Sequence, residues 1–527
     1  MAPSSLHARS SRRAVVPAAL FVAGAVVSFI GSWNVSLWTD EAASVSAADR
    51  SLGGLWQLIQ GQDAVHALYY VFLHAWTSIA GFSPVALRLP SAVAAGIAVV
   101  GVWALARALQ RPEAALWAAA VAVVLPRITW MGVEARSFGP SAAIAVWATV
   151  VLVRALESGR WRWVVYGVLV ALGVALNIYL ALLVVAHAVS LLLLRDTSWR
   201  TRGAWLIAAA AGALAASPVV LESMRQSAQL GDNAIGLSTM LRQAVVNQFF
   251  LGDTPTGNGG SDSGRSAWAV AAVVLAALCW ALAAWACVRD GRSGARASGA
   301  ARSAILRPVI VVVPIAIVPT VVAIAYSVAV SPLYNARYFT FAAPAVALLV
   351  GLGLEQLGPR LGRGSRVLRF AALVAVIVLA APVYVSQRQV TGKSGTDWSA
   401  AAAIVGDRAA QGDGIYFSPL EANRQAVVKR SERYVDTVYP ADFDGLVDLT
   451  LRTTGAQDHT LRGTSWQIGG ARASERLSRV DRVWVLRPAD YGAAASAADD
   501  AVLRTAGFTR TAVWDGSRTD VLEFSRG

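Results

Sequence analysis

Residues 163–194 read WVVYGVLVALGVALNIYLALLVVAHAVSLLLL. An α-helix rises 1.5 Å per residue and a bilayer core is ~30 Å thick, so this run is far too long for one crossing. Dividing it at the polar Asn177 gives two crossings, 163–177 and 178–195. The division decides the topology, because it fixes which side every later loop faces. Nine further apolar runs bring the expected crossings to eleven: 14–33, 86–108, 114–131, 138–156, 203–221, 266–288, 308–329, 339–357 and 369–386. Residues 66–81, HALYYVFLHAWTSIAG, are shorter, aromatic and carry His66 and His74. They read as an interfacial helix lying on the membrane.

Arginine placement tests this count. With the N-terminus in the cytoplasm, the even-numbered crossings end there. Arg107 and Arg111 follow the second, Arg154, Arg160 and Arg162 the fourth, and Arg195, Arg200 and Arg202 the sixth. Arg289, Arg292, Arg296, Arg302 and Arg307 flank the loop after the eighth, and Arg360, Arg363, Arg366 and Arg369 follow the tenth. The opposite ends are poorer in basic residues, as expected where positive loops stay inside. Counting 66–81 as a crossing would put these clusters outside. The expectation is therefore a multi-pass plasma-membrane protein with a cytoplasmic N-terminus. Both the first loop (34–85) and the tail (387–527) face outside the cytoplasm.

Composition agrees. The chain has 527 residues, 56% of them hydrophobic, and a mean hydropathy of +0.52, too high for an ordinary soluble protein. The formal charge of +14 invites a nucleic-acid partner, but the arginines sit in short loops between crossings, so none is expected. Cys279 and Cys287 share one apolar run, which argues against a disulfide framework. The SSRR before residue 14 could open a secretory signal peptide, but no clear A-x-A site followed by a soluble domain supports it. The division expected is a transmembrane domain over 1–386 and a small α/β domain over 387–527. In the latter GDGIYFSP and RVDRVWVLRP read as buried strands, SAAAAIVGDRAA and AAASAADDAVLRTA as helices, and TAVWDGSRTDVLEF as a hairpin.

Unusual polar residues converge on the outward ends. LWTDEAASV carries Asp40 and Glu41, DAVHALYY carries Asp63, His66, Tyr69 and Tyr70, and VEARSF carries Glu134 and Arg136. NIY supplies Asn177 and Tyr179, and SPLYNARYF supplies Tyr334, Asn335, Arg337 and Tyr338. Acids and arginines at a membrane boundary suit a cavity for a polar substrate with an anionic group. A carboxylate can take the proton of an attacking hydroxyl, and arginines can hold a phosphate as it leaves. The blander readings are a helix cap at Thr39 or Asp40, a local Glu134–Arg136 ion pair, a snorkelling Arg337 and an aromatic belt at residues 69–76.

The ordered set is WTDEA, D-x-x-H-x-L-Y-Y-x-x-x-H-x-W, RLPSA, EARSF and NARYF, on consistent sides. It resembles the GT-C superfamily of membrane glycosyltransferases. Within it the chain looks like the bacterial branch of protein mannosyltransferases and lipid A aminoarabinose transferases, and like actinobacterial mannosyltransferases. The resemblance spans most of residues 14–386 and leaves the tail outside. It implies a polyprenyl-phosphate sugar donor, inverting transfer to a lipoglycan, polysaccharide or protein acceptor of the cell envelope, and mannose or arabinose as the sugar. It implies Asp40 as general base with Glu41 as its companion, and Glu134 as a second acid. No cofactor is required, with a divalent cation left open. Relatives often read HPPLYY where this chain reads HALYY, which puts the role of His66 in doubt. No Gly-rich phosphate loop is present. Two rival readings are a transporter or flippase, which predicts internal repeats absent from the span pattern, and a non-catalytic protein that presents its tail domain.

Overall fold

The computed structural model describes residues 4–227, 235–255, 266–296, 307–358, 363–419, 427–428 and 431–527. Eleven helical segments occupy the expected crossings. They are Ser4–Phe29, Pro84–Ala108, the pair Pro112–Val124 and Pro126–Met131, Phe138–Glu157, Arg160–Leu176 and the Ile178–Leu180 turn running into Ala181–Leu193. Trp199–Arg225, Ala267–Arg296, Pro308–Ala329, the Ala336–Ala342 turn running into Ala343–Glu355, and Arg363–Ser386 complete the set. Among the described residues seven helices are long and apolar enough to cross a membrane, and three shorter ones are apolar. Arg302 and Arg360, expected in loops opposite the tail, lie outside the described residues.

The expected break at Asn177 is present. The preceding helix stops at Leu176, and the Asn177 side chain accepts from the Tyr179 N–H at 3.1 Å, capping the next turn. The 114–131 run differs from expectation by being two helices. Pro126 lacks an N–H and forces Leu125 into an extended conformation (φ −62°, ψ 122°), so the first helix ends at Val124. The crossing built on Ala336–Glu355 is buried along nearly its whole length, whereas Trp199–Arg225 and Gly364–Ser386 lie at the periphery. The peripheral helix turns Leu206, Ile207 and Leu214 outward, as a lipid-facing surface requires. Glycine permits the closest approach at the centre: a Cβ on Gly353 would meet the Leu282 carbonyl oxygen at 2.2 Å.

The first loop is itself helical, with segments Thr39–Ala48, Leu52–Gly61 and Ala67–Ala80. The first of these starts at Thr39 with Trp38 at the cap and no side-chain cap bond, so the capping role weighed for Thr39 or Asp40 is not found.

The tail folds as α/β. Its strands are β1 (Gly414–Phe417), β2 (Val427–Val428), β3 (Val447–Asp448), β4 (Leu451–Thr453), β5 (Thr464–Trp466), β6 (Arg482–Pro488), β7 (Phe508–Trp514) and β8 (Thr519–Arg526). One sheet has the order β3-β1-β6-β8-β7, with β1 parallel to both neighbours and β6-β8-β7 antiparallel. The other is β2-β5-β4. Side chains alternate across a strand. Ile415, Phe417, Trp484 and Leu486 pack with Leu37, Val45, Leu58 and Leu73 of the first loop, while Tyr416, Val483 and Val485 face a second core with Leu477 and Leu503. The first loop and the tail therefore share one hydrophobic core. Hydrogen bonds fasten it: Leu37 N–H donates to the Tyr439 hydroxyl at 2.8 Å, and Ser399 N–H donates to Ser36 Oγ at 3.1 Å.

Glu432 is buried in the tail domain. Burial pushes its carboxyl up to about 7, against the lowering effects of Trp398 and Arg462. The folded chain thus holds this proton more tightly than the unfolded one, so stability is greatest below the ordinary value of 4.5 and falls as pH rises to about 7. Glu432→Gln is expected to raise the thermal midpoint at pH 8 and to leave it unchanged at pH 4. Equal shifts at both pH values, by scanning fluorimetry in detergent, would contradict this.

Candidate functional site

A cavity of about 870 Å³ opens where the helix ends on the tail's side of the bundle meet the first loop and the tail. Asp40, His66, Arg136, Asn177, Tyr179 and Tyr338 line it, joined by Asp63, Gln226 and Arg462. Of the residues expected to act together, Asp40, His66, Arg136, Asn177, Tyr179 and Tyr338 meet in one space although they come from five separate stretches of chain.

Of the adjacent acids Asp40 and Glu41, Asp40 is the one that reaches the cavity. Its Oδ2 lies 2.9 Å from Arg337 Nη1 and its Oδ1 lies 3.9 Å from Arg136 Nη2. Burial alone would raise its carboxyl, but the fields of Arg136 and Arg337 outweigh burial and hold the group below its ordinary value. It is therefore ionised at neutral pH. The Arg337 backbone N–H is capped by Asn335 Oδ1 at 3.3 Å, and its guanidinium sits 5.3 Å above the Trp38 ring and 5.6 Å from the Tyr338 ring. Arg337 does not line the cavity; it approaches Asp40 from outside the lining.

Arg136 is buried and donates through Nη1 to the Tyr70 hydroxyl at 3.0 Å; that hydroxyl in turn donates to Asp63. Asp63 holds a left-handed backbone (φ 56°) just before the turn that carries His66. Burial, reinforced by Arg136, pushes His66 down to about 4, so its imidazole is neutral at neutral pH. Its Nε2 lies 4.0 Å from Asp63 Oδ1. Asn177 donates through Nδ2 to the Tyr338 carbonyl at 3.2 Å, Tyr179 donates to the Leu333 carbonyl at 2.8 Å, and the Tyr179 and Tyr338 rings stack at 4.8 Å. This aromatic wall joins two helix ends that are 160 residues apart in sequence.

Four expected site residues fall elsewhere. Glu41 is fully buried and does not line the cavity. It takes a two-pronged ion pair from Arg88, Nε to Oε1 at 2.8 Å and Nη2 to Oε2 at 2.5 Å, and its Oε1 also accepts the Ala135 N–H at 2.9 Å. Glu134 is fully buried beside Lys393, whose ammonium touches its Oε1, and Trp38 Nε1 donates to its Oε2 at 3.3 Å. Burial pushes Glu134 above the ordinary carboxylate range while Lys393 pulls it back. Tyr69 and Tyr70 are fully buried in the packing of the first loop, neither in a surface belt nor on the cavity wall. Residues 69 and 70 follow the turn at His66, and the helix they begin turns their rings inward.

Sequence reasoning missed Lys393, Gln226 and Arg462. Lys393 is one of only two lysines in an arginine-rich chain, a signal that was there to read. Gln226 closes the seventh crossing onto the first loop, accepting from Ala64 N–H at 2.9 Å and donating to the Ile59 carbonyl at 2.8 Å. Nothing in the local sequence of Arg462 marks it.

Residues 67–221 match the family model described as dolichyl-phosphate-mannose-protein mannosyltransferase. ArnT from Cupriavidus metallidurans in its apo state is similar over 96% of this chain and 97% of that one, with 12% identity and a TM-score of 0.57. The same protein bound to undecaprenyl phosphate gives 12% identity and a TM-score of 0.55 over the same shares. The oligosaccharyltransferase of Archaeoglobus fulgidus, tethered to an acceptor peptide, aligns at 12% identity with a TM-score of 0.48, over 95% of this chain and 73% of that one. No curated protein matches the chain in sequence. The ArnT likeness defines the fold: this is a multi-pass membrane protein with the GT-C architecture, ending in a small α/β domain.

Proposed function

We propose that the chain is a membrane glycosyltransferase that moves a sugar from a polyprenyl-phosphate donor to a cell-envelope acceptor on the outer side of the membrane. The observation that carries the proposal is Asp40, a carboxylate on the cavity wall between two arginines, where the helix ends on the tail's side meet the first loop. The acceptor hydroxyl gives its proton to Asp40, and its oxygen attacks the anomeric carbon of the donor. The bond from that carbon to the phosphate oxygen breaks with inversion, and the polyprenyl phosphate leaves with the electron pair. Arg136 lines the cavity and keeps an Nε–H without a partner among the described residues, so it has a donor to offer the phosphate, while Arg337 adds its charge from behind Asp40. When the phosphate draws these arginines, their hold on Asp40 weakens and the carboxylate becomes a stronger base at the step that needs one.

Glu41 in this reading orients the loop that carries Asp40, and Glu134 supports Trp38 and Lys393 beneath it. The tail lies outside with the first loop, and the N-terminus in the cytoplasm, in agreement with the arginine distribution. Mannose is the first choice of sugar, supported by the mannosyltransferase family model over residues 67–221, and arabinose the second. The acceptor is a lipoglycan, a polysaccharide or a protein. The two arginines that flank Asp40 disfavour a divalent cation beside it. The testing assay supplies purified protein with radiolabelled polyprenyl-phosphate mannose or arabinose and a cell-envelope extract, with and without EDTA. Label is expected in the extract under both conditions. Labelled donor left intact with every sugar and extract would sink the proposal.

A further inference from the structure

The cavity wall is not made by the membrane domain alone. The segment Thr460–Thr464 of the tail, with Tyr434, closes one side of it. This strap is held by the first loop. Ser46 Oγ donates to the Leu461 carbonyl at 2.7 Å, Leu461 N–H donates to Gln62 Oε1 at 3.1 Å, and the guanidinium of the buried Arg50 donates to the Thr460 carbonyl. Within the strap, the Gly463 N–H donates to Thr460 Oγ1 at 3.0 Å, and Gly463 takes a left-handed backbone (φ 70°) that a side chain would strain. Arg462 stands at the centre of this fixed turn, half-buried, with its guanidinium 4.4 Å from the Tyr434 ring centroid.

Two arginines line the cavity, Arg136 and Arg462, and Arg337 stands behind its wall; their charges are matched differently. Arg136 and Arg337 share Asp40. Arg462 makes no ion pair with a carboxylate among the described residues, and the acid whose titration it biases, Glu432, is itself buried. The positions also differ. Arg337 and Tyr338 begin a crossing, whereas Arg462 comes from the tail. A guanidinium stacked on an aromatic ring and in no ion pair with a carboxylate of the described residues is suited to a carboxylate or phosphate.

We propose that Arg462 is a specificity-determining residue that binds an anionic group on the acceptor, so that the tail domain selects a negatively charged glycan or lipoglycan. The inference rests on the transferase reading above. Its test uses the full-length protein, the labelled donor that supports transfer, and a cell-envelope extract split by anion exchange into retained and unretained fractions. Wild-type protein is expected to label the retained, anionic fraction preferentially. Arg462→Ala is expected to lower that transfer about tenfold, the size of one lost charge-assisted hydrogen bond, and to leave undecaprenyl phosphate binding within twofold of wild type. Arg462→Lys keeps the charge and recovers part of the rate. The inference is overturned by wild-type preference for the unretained fraction, by equal loss in both fractions, or by a fivefold or greater loss of undecaprenyl phosphate binding in Arg462→Ala. The last result would assign Arg462 to the donor instead. Wild-type protein that transfers to neither fraction would overturn the transferase reading itself, an outcome separate from all of these.

Discussion

Asp40→Asn is expected to lower kcat by about 10²–10⁴-fold, the range for loss of a positioned general base, without weakening donor binding. Asparagine keeps the shape of the side chain and removes the charge. The attacking hydroxyl then has no acceptor for its proton on the cavity wall, so the chemical step fails. Donor binding responds in the opposite sense. In the native protein Arg337 and Arg136 are drawn to the carboxylate at 2.9 and 3.9 Å. Without it their charge is available to a phosphate, and undecaprenyl phosphate is expected to bind at least as tightly as before. Turnover and equilibrium binding measured on the same preparation separate the two effects. Near-native turnover in Asp40→Asn would remove the base assignment, and a parallel loss of binding would show that Asp40 works mainly by placing the arginines.

The second large effect concerns the neighbouring acid and is one of stability. Glu41→Ala is expected to cost about 3–5 kcal/mol, the range for removing one partner of a buried ion pair. Arg88 would keep its charge in a fully buried position, with only the carbonyls of Ser32, Val35 and Ser36 to receive it, at 2.5, 2.8 and 3.1 Å. The Ala135 N–H would lose its acceptor too. Glu41 thus ties the helix carrying Asp40 to the second crossing and to the segment carrying Arg136. Denaturation of the purified protein measures the loss. Glu41→Gln retains the shape and one acceptor, and the folded fraction of that variant is expected to keep turnover within about tenfold of wild type. A Glu41→Ala protein as stable as wild type would remove the structural role. A well-folded Glu41→Gln as inactive as Asp40→Asn would place Glu41 in the chemistry.

Much of the architecture was legible before any coordinates. The length of an apolar run fixes whether it can cross a bilayer, so the 163–194 stretch and its division at Asn177 are read directly. The break at Pro126 is equally readable from proline chemistry, but hydropathy averages over it, so the 114–131 run reads as one continuous crossing. The tail's strands and helices announced themselves by period, since β1 and β6 are short, apolar and bounded by Gly and Pro.

Apolar run lengths and residue period are enough to define a many-span membrane chain with an α/β tail and to gather the polar residues at one set of helix ends. Only the tertiary structure decided which of two adjacent acids meets the cavity. Consecutive residues on a helix point about 100° apart, so Asp40 and Glu41 could never share one environment, and their order in the chain does not say which faces inward. Contact with Arg88 took Glu41 into the packing and left Asp40 to Arg136 and Arg337. Packing likewise carried Lys393 to Glu134, 259 positions earlier, and placed the Arg462 strap against Ser46 and Gln62. Such meetings depend on a core shared between the first loop and the tail, and no local pattern in either segment encodes where the other will lie.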